Sequence, residues 1–103
     1  MANRAKSIIP AEVFPPGEFL RDELNARGWS QADFARIIVR PLQAVNEIIN
    51  ARKRMTVETA KPIGLALGTG PELWLNLEIT YRLSTTPAPD PAIKKHVAER
   101  SAA

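Results

Sequence analysis

Apolar residues recur at helical spacing through the middle of the chain, and no run alternates apolar with polar as a half-buried strand would. Pro16 and Gly17 open a first helix with Glu18 in its first turn, Phe19, Leu20 and Leu24 on one face and Gly28 as its stop. Ser30 predicts the cap of a second helix, with Asp33 completing an approximate capping box and Phe34, Ala35 and Ile38 as the apolar face. A third helix starts around Pro41, buries Val45, Ile48 and Ile49 and ends at Asn50. Thr56 caps a fourth, whose stripe is Val57, Ala60, Ile63 and Leu67 and whose stop is Gly68. Pro62 falls inside that helix, removes a backbone donor and predicts a kink or a late start.

Gly70, Pro71 and Glu72 open a fifth helix running to about Leu83. At 100° per residue, Leu73, Trp74, Leu77 and Tyr81 lie on one side, with Leu75, Ile79 and Leu83 on the other. One stripe is enough to join the core of a small domain, so the second predicts a contact with another chain. A helix central in its own domain is the other reading of the same pattern.

Prolines bound this body. Pro10, Pro15 and Pro16 precede it and Pro87, Pro89 and Pro91 follow it, which divides the chain into an N-terminal extension (1–15), a helical domain (16–84) and a Pro-containing tail (85–103). Arg4, Lys6 and residues 8–14, or a short helix over 93–98, are the tail features able to dock on a partner; frayed ends are the plainer reading.

Length and composition narrow the function. At 103 residues, 45% of them hydrophobic and 24% charged, one globular domain is expected. There is no cysteine, hence no disulfide, thiolate zinc site or thiol nucleophile. The single histidine, His96, stands beside Lys94 and Lys95 with no second histidine to build a metal site. No enzymatic activity, cofactor or metal is expected. No window holds 18 consecutive apolar residues, and residues 1–14 lack an uninterrupted apolar run, so the expectation is a cytoplasmic, unprocessed chain with no membrane contact.

Charge becomes informative when counted by segment. Residues 36–54 hold Arg36, Arg40, Arg52, Lys53 and Arg54 against Glu47, a balance of +4 where the whole chain carries +3, leaving −1 for the rest. A short second helix, a turn of about three residues and a third helix with a polar outer face suggest a helix-turn-helix, which sets its second helix in the DNA major groove. The outward positions of that helix are Leu42, Gln43, Ala44, Asn46, Glu47 and Asn50. The carboxamides of Gln43 and Asn46 suit the paired donor and acceptor on adenine N6 and N7, while Ala44 offers only a methyl to a thymine methyl. The basic run 52–54 follows directly, where phosphate contacts hold the helix in register; a solvated basic turn is the plainer reading of that run taken alone.

The stretches Pro16 to Leu24, Gly28 to Ala35, Val45 to Asn50, Thr59-Ala60, Leu67-Gly68-Thr69 and Pro71 to Leu77 resemble the HigA antitoxin family, within the Xre-type (lambda repressor-like) helix-turn-helix group. The resemblance spans residues 10 to 84 and is specific through the joint occurrence of its motifs. It implies an all-α fold, a five-helix lambda repressor-like DNA-binding domain with a helix-turn-helix and short flexible tails. It also implies a homodimer that binds operator DNA, autorepresses its operon and neutralises a HigB-like RNase toxin that cleaves messenger RNA on ribosomes. By position, the resemblance places Gln31, Arg40, Gln43, Ala44, Asn46, Glu47, Asn50, Arg52, Lys53 and Arg54 at the DNA. The same carry-over, joined to the second apolar stripe, places Trp74, Leu75, Leu77, Ile79, Tyr81 and Leu83 at the dimer interface.

Four residues depart from the family pattern. Val39 stands where the helix-turn-helix turn usually has glycine, Ala51 where glycine commonly follows the third helix, Pro62 interrupts helix four, and Pro15 replaces a frequent histidine. A positive φ at Val39 costs on the order of 1–2 kcal/mol. Two further readings stay open: a stand-alone Xre-type transcriptional regulator without a toxin, and a protein-interaction module that has lost DNA binding.

Overall fold

The computed structural model describes residues 13–102, so the expectations placed on Arg4, Lys6 and the rest of residues 1–12 lie outside the described residues. Among the described residues six α-helices follow one another: α1 (Pro16–Arg27), α2 (Gln31–Ile37), α3 (Leu42–Ile49), α4 (Val57–Leu67), α5 (Pro71–Thr85) and α6 (Ala92–Ala102). Among the described residues there is no strand. The expected count of five is therefore one short. The prolines at 87, 89 and 91 break the chain after α5, but residues 92–102 behind them carry no further breaker and form a helix whose residues are almost all exposed.

Local chemistry sets most helix ends. Ser30 caps α2 in a full capping box: its hydroxyl accepts from the Asp33 amide at 3.0 Å and its own amide donates to the Asp33 carboxylate at 2.9 Å. The Ser30 amide, then its hydroxyl, hold the Asp33 carboxyl below its ordinary range, helped by the Arg36 guanidinium. The Thr56 side chain caps α4. Pro41 occupies the cap position of α3 rather than its first turn. α4 runs through Pro62 without a break or a late start.

The core joins Leu20 and Leu24 of α1, Phe34 and Ala35 of α2, Val45, Ile48 and Ile49 of α3, Ala60, Ile63 and Leu67 of α4 and Trp74 of α5, with Ile38 and Met55 from the connections. Two residues expected inside lie at its edge: Phe19 and Val57 are 40% and 56% exposed, because the edges of a narrow apolar face point past the neighbouring helix. Close backbone packing sets α1 against the end of α3. A Cβ added at Gly17 would stand 2.2 Å from the Ile48 carbonyl oxygen, so only glycine permits that approach.

All four turns that follow α1, α2, α3 and α4 enter the left-handed region. Gly28 and Gly68 do so at φ 71° and 75°, but Val39 (φ 57°) and Ala51 (φ 60°) carry side chains there. Behind α2 the Val39 amide donates to Arg36 O and the Arg40 amide to Ala35 O. Behind α3 the Ala51 amide donates to Ile48 O and the Arg52 amide to Glu47 O. Both are Schellman closures, whose hydrogen-bond pattern demands positive φ whatever residue occupies the position. The expected strain at Val39 is thus real, and Ala51 shares it.

Candidate nucleic-acid interface

α2 and α3 pack across the turn 38–41 and leave one face of α3 to solvent. Leu42, Gln43 and Asn50 are exposed there, while Ala44, Asn46 and Glu47 are half-buried. A polar relay crosses this face. The Asn46 amide nitrogen donates to Gln31 Oε1 at 3.2 Å, the Asn50 amide nitrogen donates to the Asn46 carbonyl oxygen at 3.0 Å, and Arg21 Nη2 donates to Asn50 Oδ1 at 3.4 Å. Gln31 of α2 thereby orients Asn46 of α3, leaving the Asn46 Oδ1 turned to another partner. Beside it, Gln43 donates to Glu47 at 3.3 Å, and Lys53 lies 3.8 Å from the same carboxylate.

Arg52, Lys53 and Arg54 are exposed directly behind α3, and among the described ion pairs neither Arg52 nor Arg54 takes part. The turn that carries them is anchored from below. Glu78 of α5, only 8% exposed, accepts from the Met55 amide at 2.9 Å and is paired with Arg82. Arg40 is committed elsewhere, donating to the Glu58 carbonyl of α4 at 2.9 Å.

Gln43 and Asn46 stand on the outer face of α3, as the spacing of its apolar residues predicts, but two residues that support this face and its basic turn were not among the expected ones. Arg21 comes from α1, and nothing local links positions 21 and 50. Glu78 stands four residues after Trp74, inside an apolar stripe, with Arg82 one turn further on; a carboxylate in that register was the available signal.

The second expected interface divides. Trp74 is 1% exposed and donates its ring N–H to Thr69 Oγ1 at 2.8 Å, so it belongs to the core and offers nothing to a second chain. Leu75 and Leu77 are half-buried against that core, and Tyr81 is half-buried. Ile79 and Leu83 are exposed at 57% and 75% on the outer side of α5, bordering an apolar hollow that reaches Met55 and Arg54.

A capped short helix, a Schellman turn and a third helix with a carboxamide-bearing outer face beside an exposed basic run define a helix-turn-helix protein. No protein-family model matches the chain. Solved structures do. An antidote protein of a plasmid maintenance system from Nostoc punctiforme is 35% identical, with 85% of this chain and 90% of that one covered and a TM-score of 0.67. A HigA-family addiction-module antidote from Coxiella burnetii is 30% identical over 86% of this chain and 91% of its own, with a TM-score of 0.68. The antitoxin HigA of Pseudomonas aeruginosa, solved with the higBA promoter, is 31% identical over 84% of this chain and 92% of its own, with a TM-score of 0.70. The chain belongs to the HigA family of antitoxins, a group of DNA-binding regulators rather than enzymes.

Proposed function

We propose that this protein is a dimeric antitoxin that binds the operator of its own operon through α3 and neutralises a HigB-like, mRNA-cleaving toxin in the cytoplasm. The observation that carries the DNA step is the outer face of α3, where Gln43 and Asn46 stand beside the exposed run Arg52–Arg54. Carboxamides match adenine N6 and N7 in the major groove, and cations following the helix match the phosphates on either side. Gln31 acts from the first turn of α2 by orienting Asn46. Arg40, Ala44, Glu47 and Asn50 complete the surface, with Glu47 keeping Gln43 and Lys53 in place. A twofold dimer presents two such helices to half-sites about 34 Å apart, one helical turn of DNA. The helical body over residues 16–84 carries both roles, and no helix among the described residues is long and apolar enough to cross a membrane.

Fluorescence anisotropy with a duplex from the region upstream of the gene, titrated at several salt concentrations, tests the DNA step. Gln43→Ala is expected to cost about 1–3 kcal/mol and to relax preference at one base pair, whereas Arg52→Ala weakens all duplexes and lowers the salt slope by about one. Equal affinity for the upstream duplex and a scrambled one would overturn the assignment. A nuclease-treated pull-down from native cells tests the toxin step: a stoichiometric small basic partner encoded next to the gene is expected, and recovery of the chain alone would make it a stand-alone repressor.

A further inference from the structure

Leu42 is the first residue of α3 and is 51% exposed, a large apolar side chain on the face that carries the carboxamides of Gln43, Asn46 and Asn50. It lies about 40° around the helix from Asn46, and Gln43 about 60° from Asn46 on the other side, so the three share one arc. Helical side chains lean toward the N-terminus, which carries Leu42 over the leading end of α3, where helix-turn-helix proteins meet base edges. Val39, 85% exposed, extends the apolar surface beside it, and the Arg40 guanidinium donates to the Glu58 carbonyl oxygen of α4.

We infer that Leu42 is a specificity-determining residue that packs on the C5-methyl group of an operator thymine. The inference rests on the DNA reading above and adds to it the base that this position selects. An A·T pair shows adenine N6 and N7 and the thymine methyl side by side in the major groove. A leucine at the edge of an arc that also carries two carboxamides matches both features of that pair, so the leading end of α3 selects A·T over G·C. A cytosine at the same place presents an amino group and no methyl, which Leu42 cannot satisfy.

The decisive experiment replaces thymines of the upstream duplex one at a time by uracil, which removes the methyl and nothing else. Wild-type protein is expected to lose about three- to fivefold in affinity at one thymine per half-site, the worth of one buried methyl. Leu42→Ala is expected to bind the thymine duplex as weakly as wild type binds the uracil duplex and to be indifferent to the exchange. Gln43→Ala keeps the uracil sensitivity. Wild-type binding with a steep salt slope but no uracil-sensitive position overturns the inference and leaves the DNA reading standing; so does a Leu42→Ala protein that stays fully sensitive. Absence of wild-type binding to the upstream duplex overturns both. Because Leu42 is exposed, the variant keeps its fold, and the uracil scan on wild-type protein stands without any variant.

Discussion

Arg40 supplies the hydrogen bond that Pro62 cannot. Proline at position 62 has no amide to offer the carbonyl of Glu58 one turn back, and the Arg40 guanidinium donates to that carbonyl at 2.9 Å from the far side of the helix-turn-helix turn. α4 therefore passes Pro62 unbroken, and the turn before α3 is tied to it. Arg40→Ala is expected to destabilise the fold by about 1–2 kcal/mol, and Pro62→Ala, which restores the amide, is expected to remove most of that loss. Urea denaturation of the two single variants and the double variant reads the coupling; additive effects would contradict it.

Glycine suits both ends of α3 better than the residues found there. Val39 and Ala51 hold φ near 60°, a conformation that costs an L-residue about 1–2 kcal/mol, part of which is recovered by their lower freedom in the unfolded chain. Val39→Gly and Ala51→Gly are each expected to stabilise by about 0.5–1 kcal/mol, seen as a rise of a few degrees in Tm. Val39 gains more, since its β-branched side chain is the poorer occupant and its exposure means little packing is lost.

Glu78 joins the basic turn to α5. Its buried carboxylate satisfies the Met55 amide and Arg82 together, so Glu78→Ala leaves a buried donor without a partner and is expected to cost about 2–3 kcal/mol by denaturant titration. Glu78→Gln keeps an acceptor for the Met55 amide and is expected to lose clearly less. A Gln variant as unstable as the Ala variant would place the stabilisation in the Arg82 pair instead.

Self-association is best tested on the outer side of α5. Leu83→Asp puts a charge on the exposed stripe without touching the core, so it is expected to yield folded monomers with weakened operator binding, measured by light scattering after size exclusion. Leu77→Asp makes a poorer probe, because Leu77 packs against the core and its loss damages the fold as well. A Leu83→Asp dimer would move the interface off this stripe.

Helices α1 to α5 and the face that α3 presents were legible along the chain; α6 was not counted among the expected helices. Helix starts and stops are local events: Ser30 with Asp33, Thr56, Gly28 and Gly68 make their hydrogen bonds within a few residues, so their chemistry can be read along the chain. The same holds for the outward Gln43 and Asn46, which follow from the spacing of Val45, Ile48 and Ile49. Tertiary structure alone decided which apolar residues of α5 are core and which are free, since periodicity places Trp74 and Ile79 on different sides without saying which side has a neighbour. It alone paired Arg40 with the carbonyl left by Pro62, Arg21 with Asn50 and Glu78 with Met55. Each of those bonds closes over 18 or more residues, and no local rule brings such partners together; only the packing of α3 on α1, of α1 on α5 and of α5 on α4 does so.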